Sequence, residues 1–120
     1  MLVNLNGIEL DFDVYDAAQA PAYVNGAQKV AEALTEMDGK TDINEISAGY
    51  KKIAKATSEM LDAIFGAGTG EKVLKGKESA LQGIEILDAL ARSIDEQNKA
   101  IGEFRAKYSP ARLAKKGSKS

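Results

Sequence analysis

Ile43, Ile46, Tyr50, Ile53, Thr57, Met60 and Ile64 recur at alternating spacings of three and four. That rhythm follows the 3.6-residue turn of an α-helix and puts all seven on one stripe. Leu61 and Phe65 widen the stripe near its end. A chain organised around such a helix must supply other apolar faces to cover it. Two further segments do so. Tyr23, Ala27, Val30, Leu34 and Met37 form one stripe before it, and Leu81, Ile84, Leu87, Ala91, Ile94, Ile101 and Tyr108 lie on or near a seam after it. Ile86, Leu90 and Phe104 broaden that last seam, so the helix carrying it needs more than one packing partner.

Boundary signals delimit these helices. Pro21 suits the first position of the first helix, where its missing N–H costs nothing. Asp16 ends the preceding strand and can cap a turn, with Gln19 three residues on. The run Asp38, Gly39, Lys40, Thr41 is a turn, and Asp42 with Glu45 forms a capping box for the central helix. The last helix is expected over residues 78–108, stopped by Ser109-Pro110. At a rise of ~1.5 Å per residue it is ~45 Å long. A domain of this size does not easily cover that length, so the helix bends or its end protrudes towards a partner.

The first fifteen residues read as a β-hairpin. Asn6-Gly7 is the strongest short hairpin signal, because both central residues of a type I′ turn need positive φ. Leu5 then faces Ile8, Val3 faces Leu10 and Met1 faces Phe12, with Val14 extending the same side. Glu9, Asp11 and Asp13 fall on the other side by strand alternation. A lone hairpin is marginal in water, so its apolar face must lie on helices or on another chain.

Residues 65–77, FGAGTGEKVLKGK, resemble a phosphate-binding loop at first sight. Spacing removes that role. A Walker A loop has a Gly, four residues, then Gly-Lys-Ser/Thr. Here five residues separate Gly70 from Gly76-Lys77, and Glu78 stands where a magnesium-binding hydroxyl belongs. The stretch is structural: Gly66 stops a helix, Thr69 caps a short one around residues 71–75, and Gly76 ends it.

The expected fold is α+β and mostly α: an N-terminal β-hairpin (1–15), three main α-helices and one short helix. One domain of residues 1–109 is followed by a flexible basic tail, 110–120. The tail carries Arg112, Lys115, Lys116 and Lys119 without an acid, while the rest of the chain holds 12 basic and 18 acidic side chains, a net of −6.

Chemistry is excluded more readily than assigned. The chain has no cysteine and no histidine, which removes thiolate nucleophiles, disulfides, structural zinc sites of the usual kind and His-based acid–base catalysis. An intracellular address follows, since nothing needs an oxidising compartment. No apolar run approaches a membrane span, and the start lacks the basic region of a signal peptide. Glu9, Asp11, Asp13 and Asp16 form an acidic strip, best read as a solvated face that discourages edge-to-edge pairing. No catalytic residue, cofactor site or metal site is expected, and no small-molecule substrate. Four tail charges without interleaved aromatics are a thin footprint for nucleic acid, which the acidic body disfavours. The candidate site is a protein interface, on the apolar hairpin face (Val3, Leu5, Ile8, Leu10, Phe12) and the late helix face (Ile94, Ile101, Phe104, Tyr108). The same residues serve equally as core. The regular stripes and the hairpin edges also fit self-association.

Three segments carry a family resemblance: VNLNGIELDFDVYDA, FGAGTGEKVLKGK and KYSPARLAKK. Together they resemble a family of small proteins of unknown function from tailed phages and prophages of Gram-positive bacteria, lying in the tail-gene region. The chain departs from that pattern at Pro21 and the Ala-rich start of its first helix. The resemblance implies a non-enzymatic tail assembly chaperone. Such a protein binds the long tape-measure protein, helps tail-tube subunits polymerise around it, works in the bacterial host cytoplasm and is absent from the mature virion. Two other readings stay open: a structural minor tail or connector protein of the virion, and a small phage inhibitor of a host protein.

Overall fold

Asn6 and Gly7 both adopt positive φ, 55° and 87°, and turn the chain back on itself in two residues. The turn joins β1 (Leu2–Leu5) to β2 (Ile8–Asp11) in the expected register, Leu5 opposite Ile8 and Val3 opposite Leu10. Phe12 N–H continues the ladder to the carbonyl of Met1 at 2.9 Å. The structure, a computed structural model, describes residues 1–108. Among them the sheet has these two strands alone, followed by α1 (Gln19–Thr35), α2 (Ile43–Phe65), α3 (Thr69–Leu74) and α4 (Ala80–Tyr108). The expected architecture of a hairpin, three long helices and one short one is therefore present. The Ser109-Pro110 stop and the basic tail, 110–120, lie outside the described residues.

Helix α1 begins at Gln19, two residues before the expected start, so Pro21 is its third residue rather than its first. The first four N–H groups of a helix have no partner within it, so proline is tolerated here as well. Asp16 organises the approach, its Oδ2 accepting from the N–H groups of Ala18 at 2.9 Å and Gln19 at 2.8 Å. Asp42 caps α2, accepting from Asn44 N–H at 2.8 Å and Glu45 N–H at 3.2 Å. Gly66 closes α2 at φ 115°, ψ 156°, a region essentially reserved for glycine. Gly68, not Thr69, occupies the cap position of α3. Thr69 is the first helical residue and its hydroxyl donates to the carbonyl of Gly66 at 2.7 Å.

Helices α1 and α2 pack closely because Gly26 stands where they meet. A Cβ added at Gly26 would lie 2.3 Å from Met60 Cγ. Around that contact the core gathers Val30 and Ala33 from α1, Ile53, Met60, Leu61 and Ile64 from α2, Val73 and Leu74 from α3, and Ile86 and Leu90 from α4. The hairpin lays Val3, Leu5 and Phe12 on the same cluster. The Phe12 ring meets Tyr23 at 5.7 Å and Phe65 at 6.0 Å between centroids. Burial of these side chains, about 1.5–3 kcal/mol each for the larger ones, is what keeps a two-stranded hairpin in place.

Helix α4 buries a different face from the one its sequence indicates. The buried positions are Gly83, Ile86, Leu90, Ser93 and Gln97. Leu81 and Ile84, placed on the seam by spacing, point outward. The reason lies in the small and polar residues. Gly83 permits close approach to Ile53 and Thr57 of α2, and Ser93 and Gln97 are covered because their polar atoms find partners inside. Hydrophobicity alone does not register either effect.

Candidate functional site

The face buried at Gly83, Ile86, Leu90, Ser93 and Gln97 continues along α4 at the same spacing to Ile101, Phe104 and Tyr108. The other described elements do not follow it. The hairpin reaches α4 at Asn98, where the Tyr15 hydroxyl bonds the side-chain oxygen. Beyond that level Ile101 is half-buried, Phe104 is 60% exposed and Tyr108 is 47% exposed. Phe104 and Tyr108 stack on each other with centroids 4.8 Å apart, and the Lys107 ammonium lies 5.4 Å from the Tyr108 ring. A regular helical seam thus leaves the body of the protein with aromatic side chains uncovered.

A second apolar surface forms where α2 meets the start of α4. Tyr50, Leu81 and Ile84 line an open groove with Glu78, Ser79 and Ala80. Ile43, two turns before Tyr50, is 74% exposed. The stripe of α2 is therefore core in its second half and surface in its first. Spacing gave no sign of that division, because it depends on how far α1 and α4 extend along α2.

The hairpin half of the expected interface does not face outward. Val3, Leu5 and Phe12 are buried in the chain's own core, and Ile8 and Leu10 pack half-buried against it. The correction has a simple cause: a hairpin this short gains its stability only by laying its apolar side on the helices. Ile94 is likewise half-buried against the core. Of the expected interface residues, Phe104 and Tyr108 are the exposed ones, with Ile101 partly accessible between them and the body.

The outer side of the hairpin carries Leu2, Asn4, Glu9 and Asp11, with Leu2 opposite Asp11 and Asn4 opposite Glu9. All four are exposed, as are Asp13 and Asp16. The N-terminal amine of Met1 pairs with Asp11 at 3.0 Å. Among the described residues no group of three or more acidic side chains is arranged to hold a metal ion. No helix among them is long and apolar enough to cross a membrane.

Glu36 and Tyr23 titrate away from their ordinary values. The Lys52 ammonium donates to Glu36 at 2.5 Å and holds that exposed carboxyl below its ordinary range. Burial raises the Tyr23 phenol above its ordinary value, with the negative charge of Asp95 adding to the effect. Glu36 belongs to a salt bridge across α1 and α2, and Tyr23 to the core beside Phe12. Neither sits at the two uncovered apolar surfaces.

A model of a family of unknown function, DUF6673, matches residues 6–119, and the chain belongs to that family. No curated protein and no solved structure matches it.

Proposed function

We propose that this member of the DUF6673 family is a non-enzymatic tail assembly chaperone of a phage or prophage. It binds helical segments of the tape-measure protein, promotes assembly of tail-tube subunits around them, and associates with copies of itself. It acts in the cytoplasm of the bacterial host and leaves before the virion is complete. The observation that carries this reading is the α4 seam, which runs out of the core and presents Phe104 and Tyr108 exposed, with Ile101 half-buried behind them, among the described residues. Such a strip fits an amphipathic helix of a partner through contacts one turn apart. The groove at Tyr50, Leu81 and Ile84 offers a second contact of the same kind.

The test is co-expression with a tape-measure protein of a tailed phage, followed by co-purification. The proposal expects a complex that Phe104→Ser weakens by at least about tenfold, a loss typical of a buried aromatic anchor. It also expects the chain to be missing from purified virions by mass spectrometry. Its presence there at stoichiometric level would replace this reading with that of a permanent tail component.

A further inference from the structure

Charge divides this chain along its length. Residues 1–98 hold nine basic and seventeen acidic side chains, whereas residues 99–120 hold seven basic and one acidic. The two ends of this polarity coincide with two surfaces that pair an exposed apolar group with charge. On the outer hairpin face Leu2, 66% exposed, lies beside the carboxylates of Glu9 and Asp11. On the end of α4 the exposed Phe104–Tyr108 stack is flanked by Arg105 and Lys107.

We infer that these surfaces bind each other between copies, head to tail. The end of α4 of one copy lies on the outer hairpin face of the next, its aromatic pair over Leu2 and its cations against Glu9 and Asp11. Charge argues for this pairing over the symmetric ones. An α4 end docked on its own equivalent brings Arg105 and Lys107 against another basic segment. Two hairpin faces docked together bring Glu9 and Asp11 against the same carboxylates. Like-charge juxtaposition of that kind suppresses the wrong partner. Contact within one chain is ruled out by the helix itself. It is continuous from Ala80 to Tyr108, so Tyr108 stands ~16 Å past Gln97 at ~1.5 Å per residue.

A contact that uses two different patches leaves one of each free on every singly linked pair, so assembly proceeds past the dimer, to a ring where the rotation between copies closes and to open chains where it does not. This deepens the self-association in the proposed function and stands independently of its tail-assembly part. Both surfaces belong to this chain alone.

Sedimentation velocity of the full chain tests it. The expected result is mass that grows with concentration and falls as salt rises from about 50 mM to 500 mM, where the screening length shrinks to a few ångströms. The variants Arg105→Glu/Lys107→Glu and Glu9→Lys/Asp11→Lys each keep one intact surface. Each alone should be monomeric where the natural chain associates, and their equimolar mixture should regain association, because the two reversed surfaces complement each other as the natural ones do. Phe104→Ser should weaken association about tenfold or more without changing the charge. A chain that stays monomeric at every concentration overturns the inference. So does a natural dimer that never grows, or association indifferent to both charge reversals.

Discussion

Gln19 and Gln97 grip the same short stretch of chain from its two edges. Gln19 accepts from Asp13 N–H at 2.7 Å and donates to the carbonyl of Asp11 at 3.1 Å. Gln97 accepts from Val14 N–H at 3.0 Å and donates to the carbonyl of Phe12 at 2.9 Å. Each side-chain amide offers the donor and acceptor that a neighbouring strand would offer, at alternate residues, as strand geometry requires. The segment leaving β2 is therefore held from both edges as the strand gives way to a turn, with Phe12 placed in the core. The two grips differ in burial. Gln97 is buried and also donates to Ser93 Oγ at 3.0 Å, whereas the bonds of Gln19 to Asp11 and Asp13 are exposed. Gln97→Ala leaves the Val14 N–H without its partner and the Phe12 carbonyl with the Met1 amine alone, and is expected to cost about 1–3 kcal/mol. Gln19→Ala, where water can replace the amide, is expected to cost about 1 kcal/mol or less. Urea denaturation of the two variants measures both, and equal losses would contradict the difference in burial.

The close approach of α1 and α2 makes Gly26 a point of intolerance. Helix propensity alone favours alanine there by about 1 kcal/mol. The added methyl would meet Met60 at 2.3 Å from Cγ and 2.6 Å from Cβ. The second contact is near the backbone, so the side chain cannot swing clear of it. Gly26→Ala is expected to destabilise the protein by about 1–3 kcal/mol despite its better propensity. Combining it with Met60→Ala should give a loss somewhat smaller than the sum of the two, because alanine removes the contact at Cγ while the one at Cβ stays. Thermal melts of the two single variants and the double variant test this coupling, and strict additivity would show that the helices adjust independently.

Tyr23 links stability to alkaline pH. Its phenol is half-buried against Phe12, and burial, helped by Asp95, raises its pKa above the ordinary 10.0. A folded pKa above the unfolded one means that the native state favours the neutral phenol. That contribution is complete below the unfolded value and is lost as pH rises through the folded one. Stability should therefore fall above about pH 10 more steeply in the natural chain than in Tyr23→Phe. Melting temperatures of the two proteins taken between about pH 8 and pH 11 make the comparison. Parallel curves would show that Tyr23 does not titrate with unfolding.

Much of this fold is legible in local signals. Asn6-Gly7 specifies the hairpin and its register, Asp42 with Glu45 specifies where α2 starts, and Gly66 specifies where it stops. These signals are legible because each acts over a few residues through backbone chemistry. What is not legible depends on contacts far apart in sequence. The buried face of α4 is set by Gly83 meeting α2 and by Gln97 meeting Phe12 and Val14, and neither residue is hydrophobic. The apolar stripe of α2 is uniform from Ile43 to Ile64, yet its first half is surface, because cover depends on the reach of other helices. The candidate site shows both sides of this. Phe104 and Tyr108 emerge exposed because α4 outruns the body, as its length implies. Val3, Leu5 and Phe12 turn inward because the same chain supplies the helices the hairpin needs.

Leu90 and Phe104 test where the core ends. They lie on the same face of α4, separated by 14 positions, close to four helical turns. Leu90 is fully buried, while Phe104 is 60% exposed. Truncating a buried leucine removes its transfer energy and leaves a cavity, so Leu90→Ala is expected to cost about 2–5 kcal/mol. Phe104→Ala removes a larger side chain, but one surrounded mainly by water and by Tyr108 in the chain itself. Its expected effect on unfolding is within about 0.5 kcal/mol, the range of surface substitutions away from special features. Denaturation must be followed at a concentration where the chain is monomeric, so that loss of association does not register as loss of fold. The two variants then part in opposite directions by assay. Leu90→Ala lowers the denaturation midpoint. Phe104→Ala leaves it in place and weakens binding between chains. An unfolding free energy that falls by several kcal/mol for Phe104→Ala, against the ~0.5 kcal/mol of a surface change, would mean that the end of α4 folds back onto the body, and it would remove the exposed seam from consideration as an interface.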